Sequence, residues 1–105
     1  MVTLDKNNFE QEVTNAEGYV VVDFWSESCE PCKALLPSIE ELAEAYQDQM
    51  KFAKLDTSKA RRLAIKQKVL GLPTVVLYKD GEKLEEVTKE EATKENVEAM
   101  IKKHL

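Results

Sequence analysis

The chain has few of the residues that staple or punctuate a polypeptide: two cysteines, three glycines, three prolines and one tryptophan in 105 residues. Two cysteines only two residues apart exclude a secreted disulfide scaffold, because the loop they would close is too small to constrain the unfolded chain much. Scarce glycine and proline, with no repeat or shift in composition, exclude collagenous, low-complexity and linker-rich organisation. The longest apolar run, Tyr19–Val22, is far too short to cross a bilayer, and the opening MVTLDKNNFE has no apolar stretch of the signal-peptide kind. The protein is therefore expected in the cytoplasm, with no membrane partner. Positive charge is the minority sign as well. Fifteen Lys and Arg against twenty Asp and Glu leave a net charge of −5, which disfavours nucleic acid as a partner.

What is present describes a soluble globular protein, 43% hydrophobic and 33% charged, with enough chain for one domain over residues 1–105 but not for two. A short helix is expected over Asn7–Val13, with Phe9 and Val13 four residues apart. Tyr19-Val-Val-Val then reads as a strand buried on both faces and continuing through Asp23 to Trp25. Leu35, Leu36, Ile39, Leu42, Ala43 and Tyr46 follow helical spacing from the cysteines to about Asp48, with a kinking proline at Pro37. Lys51–Asp56 reads as a strand. A helix capped by Ser58 is expected to run to Lys68, with Leu63 and Ala64 inward. Thr74–Lys79 and Leu84–Val87 form a hairpin about Asp80-Gly81. Thr93 caps a last helix that buries Val97, Met100 and Ile101. A βαβ crossover followed by a hairpin implies an α/β fold, with a mixed sheet and helices on both faces.

Trp25-Ser-Glu-Ser-Cys29-Glu-Pro-Cys32-Lys33 sets two thiols at a strand-to-helix junction. Unpaired N–H groups and the helix dipole favour an anion at Cys29, which makes it the nucleophile. Cys32 lies one turn further into the helix, where it is shielded and suited to resolving a mixed disulfide. Half of a zinc site has the same spacing. The only histidine, His104, reads as an exposed residue ending the last helix, and tetrahedral zinc would need a second chain. No metal and no cofactor beyond a redox-active Cys29–Cys32 disulfide is expected. Asp23 interrupts an apolar strand, where a carboxylate is costly unless protonated or paired, and a raised pKa there would suit proton exchange with Cys32.

VVDFW, the CxPCK pair, a proline five residues after the second cysteine and GLPT before a strand together resemble the thioredoxin family over essentially the whole chain. The resemblance implies a central four- to five-stranded mixed sheet flanked by helices, and dithiol reduction of protein disulfides. By residue, Cys29 resembles the attacking cysteine, Cys32 the resolving one and Trp25 the tryptophan that covers the disulfide. Pro73 resembles the cis-proline facing it, and Lys54 the lysine that approaches the buried carboxylate of Asp23. Pro31 and Lys33 are motif members. Substrate would pair as an added strand with the backbone at Leu72. Implied partners are protein disulfides and a thioredoxin-reductase-like electron donor, with the chain itself a monomer.

Three departures fall at the rim. Glu30 stands where the family has glycine, Ser28 where it has a second tryptophan, and Lys89, Glu90 and Glu91 where a glycine precedes the last helix. They make the substrate-facing surface more acidic and bear on which partners, including the reductase, it accepts. The charged stretch Glu82–Glu98 otherwise reads as solvated surface. Two other readings compete with the reductase: a disulfide oxidant or isomerase, and a non-enzymatic binding module. The first usually goes with secretion and a more acidic thiol, and the second has no need of a dithiol.

Overall fold

In a computed structural model describing residues 1–105, β1 (Val2–Leu4), β2 (Tyr19–Trp25), β3 (Lys51–Asp56), β4 (Thr74–Lys79) and β5 (Glu82–Thr88) form one sheet of order β1-β3-β2-β4-β5. The helices are α1 (Glu30–Ala45), α2 (Arg61–Lys66) and α3 (Lys94–Lys103). β2 is central because both its faces are apolar. Val20, Val22 and Phe24 pack with Phe9, Val13, Ala60 and Ala64, while Val21 packs oppositely with Ile39, Leu42, Val97 and Ile101. β3 runs parallel to β2 through the α1 crossover, and β4 and β5 return antiparallel.

The β4–β5 turn has Asp80 at φ 51° and Gly81 at φ 85°, the doubly left-handed geometry of a two-residue hairpin. Asp80 Oδ1 also accepts a hydrogen bond from Gly18 N–H at 2.8 Å, tying the turn to the chain before β2. A Cβ at Gly81 would strike the Thr14 carbonyl oxygen, so this glycine is required by space as well as by φ.

Several expected boundaries move. β1 is an additional strand, paired parallel with β3 at the sheet edge, and three residues are too few to show alternation. The first helix is a single π-helical turn, Glu10–Thr14, with Phe9 and Val13 buried as expected. Ser58 does not cap α2. Asp56 Oδ1 instead accepts from Ser58 N–H at 3.0 Å and caps a 3₁₀ turn, Thr57–Lys59, so that α2 begins at Arg61. α2 ends at Lys66 because Lys68 turns left-handed at φ 61°, with Val69 N–H donating to Ala64 O and Lys68 N–H to Ile65 O, each at 2.9 Å. α1 continues through Pro37 but stops at Ala45, not Asp48.

Thr93 caps α3 as expected, its hydroxyl accepting from Asn96 N–H at 3.1 Å. His104 is not an exposed end. Its side chain is 25% exposed and its Nε2 lies 3.2 Å from Glu85, whose carboxylate also takes Lys103. That half-buried cluster, with the Glu98 carboxylate accepting from Tyr46 Oη at 2.7 Å, makes part of the Glu82–Glu98 stretch structural rather than merely solvated.

Candidate active site

β2 ends at Trp25, and a short turn places Cys29 as the N-cap of α1, with Cys29 N–H donating to Ser26 O at 3.1 Å. The cap is made by sulfur: Cys29 Sγ accepts from Cys32 N–H at 3.2 Å. Pro31 sits in the first turn, where an amide hydrogen has no intrahelical partner to lose. Cys29 and Cys32 form a disulfide with Cα atoms 5.2 Å apart. The two sulfurs are not equivalent, since Cys29 is partly exposed whereas Cys32 is 1% exposed on the core side of α1.

Asp23 belongs to the face of β2 that carries Val21 toward α1, and it is fully buried. Neither carboxylate oxygen has a hydrogen-bond partner. Burial pushes its pKa up to about 7, against a smaller downward pull from Lys54, its register neighbour on β3. Lys54 is half-buried and lines a cavity of about 480 Å³ with Trp25, Glu27 and Asp56. The half-buried Trp25 is thus found on the Lys54 flank.

On the other side, the Leu72–Pro73 bond is cis, and Pro31, Leu72, Pro73, Lys89 and Glu90 line one groove of about 330 Å³. Leu72 also borders a second groove of about 380 Å³ with Ser28, Arg61, Ile65 and Leu70. The N–H and C=O of Leu72 take no part in any backbone hydrogen bond. Thr74 fixes the approach to this segment, its hydroxyl donating to Gly71 O at 2.7 Å and meeting Thr88 Oγ1 at 2.7 Å. Glu30 projects into solvent, 85% exposed, with Lys33 Nζ at 3.6 Å. Glu90 lines the groove, while Glu91 is engaged by Asn96, which donates to its carbonyl at 2.8 Å.

Cys29, Cys32, Pro31, Leu72 and Pro73 therefore meet at one end of the sheet, and Asp23 is buried on β2 two residues before that strand ends at Trp25. Sequence reasoning overlooked Thr74, Arg61, Ile65, Leu70 and the groove position of Lys89. Ile65 and Leu70, 67% and 87% exposed, could have been noticed as apolar residues out of phase with the inward Leu63 and Ala64. No group of three or more His, Cys, Asp or Glu is placed to hold a metal ion.

A vicinal dithiol at a helix N-terminus, one sulfur accessible and one buried, can cycle between dithiol and disulfide, which defines a thiol-disulfide oxidoreductase. The thioredoxin family model matches residues 1–103. A thioredoxin of Acetoanaerobium sticklandii is 64% identical over 105 residues, covering all of both chains. One of Peptoclostridium acidaminophilum is 59% identical over all of this chain and 96% of its own, and one of Pseudomonas aeruginosa is 41% identical over 77% of this chain and 75% of its own. The chain belongs to the thioredoxin family. Its activity is the reduction of disulfides by thiol-disulfide exchange.

Proposed function

We propose that the reduced protein, one domain over residues 1–105, acts in the cytoplasm as a monomeric electron donor to protein disulfides, with Cys29 attacking and Cys32 resolving. The observation that carries this division is the asymmetry of the pair: Cys29 is partly exposed and receives the Cys32 N–H, while Cys32 is buried. In the dithiol state that N–H and the α1 N-terminus favour a thiolate at Cys29. The thiolate attacks one sulfur of the substrate, forming a mixed disulfide and expelling one substrate thiolate, which takes up a proton. Cys32 gives its proton to the Asp23 carboxylate, held near neutrality by burial, and attacks Cys29 Sγ. The mixed disulfide breaks, the second substrate thiol leaves and the Cys29–Cys32 disulfide closes, so that two electrons have passed to the substrate.

The cis Leu72–Pro73 segment supports binding by strand addition, because the unpaired N–H and C=O of Leu72 can accept an extended chain. Trp25, Glu30 and Pro31 complete the substrate surface, and Lys54 tempers the Asp23 charge. A thioredoxin-reductase-like flavoprotein would restore the dithiol; no metal or bound cofactor takes part. In the decisive experiment, dithiothreitol drives reduction of an insulin-type disulfide substrate while a Cys32→Ser variant is exposed to protein extract. Turnover by wild type, none by Cys29→Ser, and mixed disulfides held on Cys29 of Cys32→Ser are expected. Adducts accumulating on Cys32 of the Cys29→Ser variant would reverse the roles.

A further inference from the structure

Three features converge on Lys89. It is a non-glycine residue at φ 55°, a conformation that favours glycine. Its N–H donates to Pro73 O at 2.8 Å, so it is anchored to the cis-proline segment. Its side chain also lies over Gly71, since a Cβ built there would collide with Lys89 Cε and lie 3.3 Å from Cγ and 3.4 Å from Cδ. A backbone conformation suited to glycine is thus occupied by a long unbranched chain that lies over Gly71 and lines the groove shared with Pro31, Leu72, Pro73 and Glu90. Its ammonium makes no ion pair, so the chain is held over Gly71 by packing alone.

We propose that Lys89 is a specificity-determining residue, whose aliphatic stem covers Gly71 and keeps the groove beside Leu72 too shallow for a bulky substrate side chain. The inference rests on the reading that substrate adds as a strand along Leu72. A polypeptide in that register presents a side chain toward Gly71, where the Lys89 methylenes already occupy the space. Protein disulfides with a small residue at that position fit, whereas those with leucine or a larger residue must displace the stem.

The test uses the full chain and two peptide disulfides that differ only in Ala or Leu beside the target cysteine, with kcat/KM measured for each. Wild type is expected to prefer the alanine peptide by roughly 10-fold or more, the low end of the range for one misfitted side chain. Lys89→Gly, which suits the positive φ and removes the stem, should bring the ratio to about 1. Lys89→Met, which keeps an unbranched chain but no charge, should retain the preference through KM. Equal rates for the two peptides in wild type, or loss of the preference in Lys89→Met, would overturn the cover. Strand addition is checked separately by hydrogen exchange of the Leu72 amide in the mixed disulfide of Cys32→Ser. An unprotected Leu72 amide there would remove the underlying reading, whatever the selectivity ratio shows.

Discussion

Replacing Asp23 by asparagine removes an ionisable group that is fully buried and has no hydrogen-bond partner on either oxygen. Burial raises its pKa from 3.8 to about 7. Between those values the folded chain retains a proton that the unfolded chain has released, so stability falls as pH rises through the window. Below it both states are protonated, and above it both are ionised and the loss is complete. About three pH units at about 1.4 kcal/mol each give about 4 kcal/mol. Asparagine has the same shape and no charge. Its buried amide lacks partners as the neutral carboxyl does, so near pH 4 the two proteins should unfold within about 1 kcal/mol of each other. At pH 8 the variant should be more stable by about 2 to 4 kcal/mol, a midpoint of thermal unfolding about 10 °C or more higher. Urea unfolding of both oxidised proteins from pH 4 to 9 measures this directly. Stability curves that stay parallel across the range would refute the desolvation argument. If Asp23 takes the Cys32 proton as proposed, resolution of the mixed disulfide should also slow in Asp23→Asn, which rapid-quench trapping of the adduct measures.

Glu30→Gly removes a carboxylate beside Cys29, so the thiolate fraction of reduced Cys29 at pH 7 should rise; ultraviolet titration of the thiolate checks it, and an unchanged or lower fraction contradicts the repulsion. Glu27, Glu30 and Glu90 are exposed, so kcat/KM for substrates with basic residues beside their disulfides should fall between low and physiological salt. Rates that ignore salt would exclude steering. Gly81→Ala should destabilise by at least about 2 kcal/mol, combining an unfavourable φ with the Thr14 carbonyl collision, and an unchanged urea midpoint would show that the β4–β5 turn yields.

The elements legible in the sequence were those whose signal is local. The Val20–Val22 run, the helical spacing of Leu35, Ile39 and Leu42, the Asp-Gly turn and the Thr93 cap all appear where periodicity or turn chemistry puts them. β1 escaped because its evidence is the ladder with β3, a contact about fifty residues away that three residues cannot announce. Ser58 and Asp56 are both good caps, and only tertiary context decided between them, with Thr57 donating to Trp25 O at 3.2 Å and drawing the chain into a 3₁₀ turn first. At the site, the chemistry of Cys29 and Cys32 follows from their place on a helix. The groove position of Lys89 does not, because it depends on the β4–β5 register shift at Leu77/Tyr78 and on a left-handed residue no propensity predicts.

The departures from the family pattern lie outside the ladder and the core, which explains how they coexist with an intact disulfide site. Glu30 is the first residue of α1, where a carboxylate interacts favourably with the helix dipole. The same charge opposes a thiolate on Cys29, which depends on that helix end. Oxidation removes the thiolate and leaves the favourable interaction. Glu30 therefore stabilises the disulfide state more than the dithiol state, which makes the protein a slightly stronger reductant than its glycine counterpart. Lys33, 3.6 Å away, offsets part of the charge, and 85% exposure of Glu30 screens more. The effect of Glu30 on the equilibrium between thiol and disulfide is therefore expected to be small, so divergence at the rim can change which charged partners approach while leaving the electron chemistry to the Cys29–Cys32 pair.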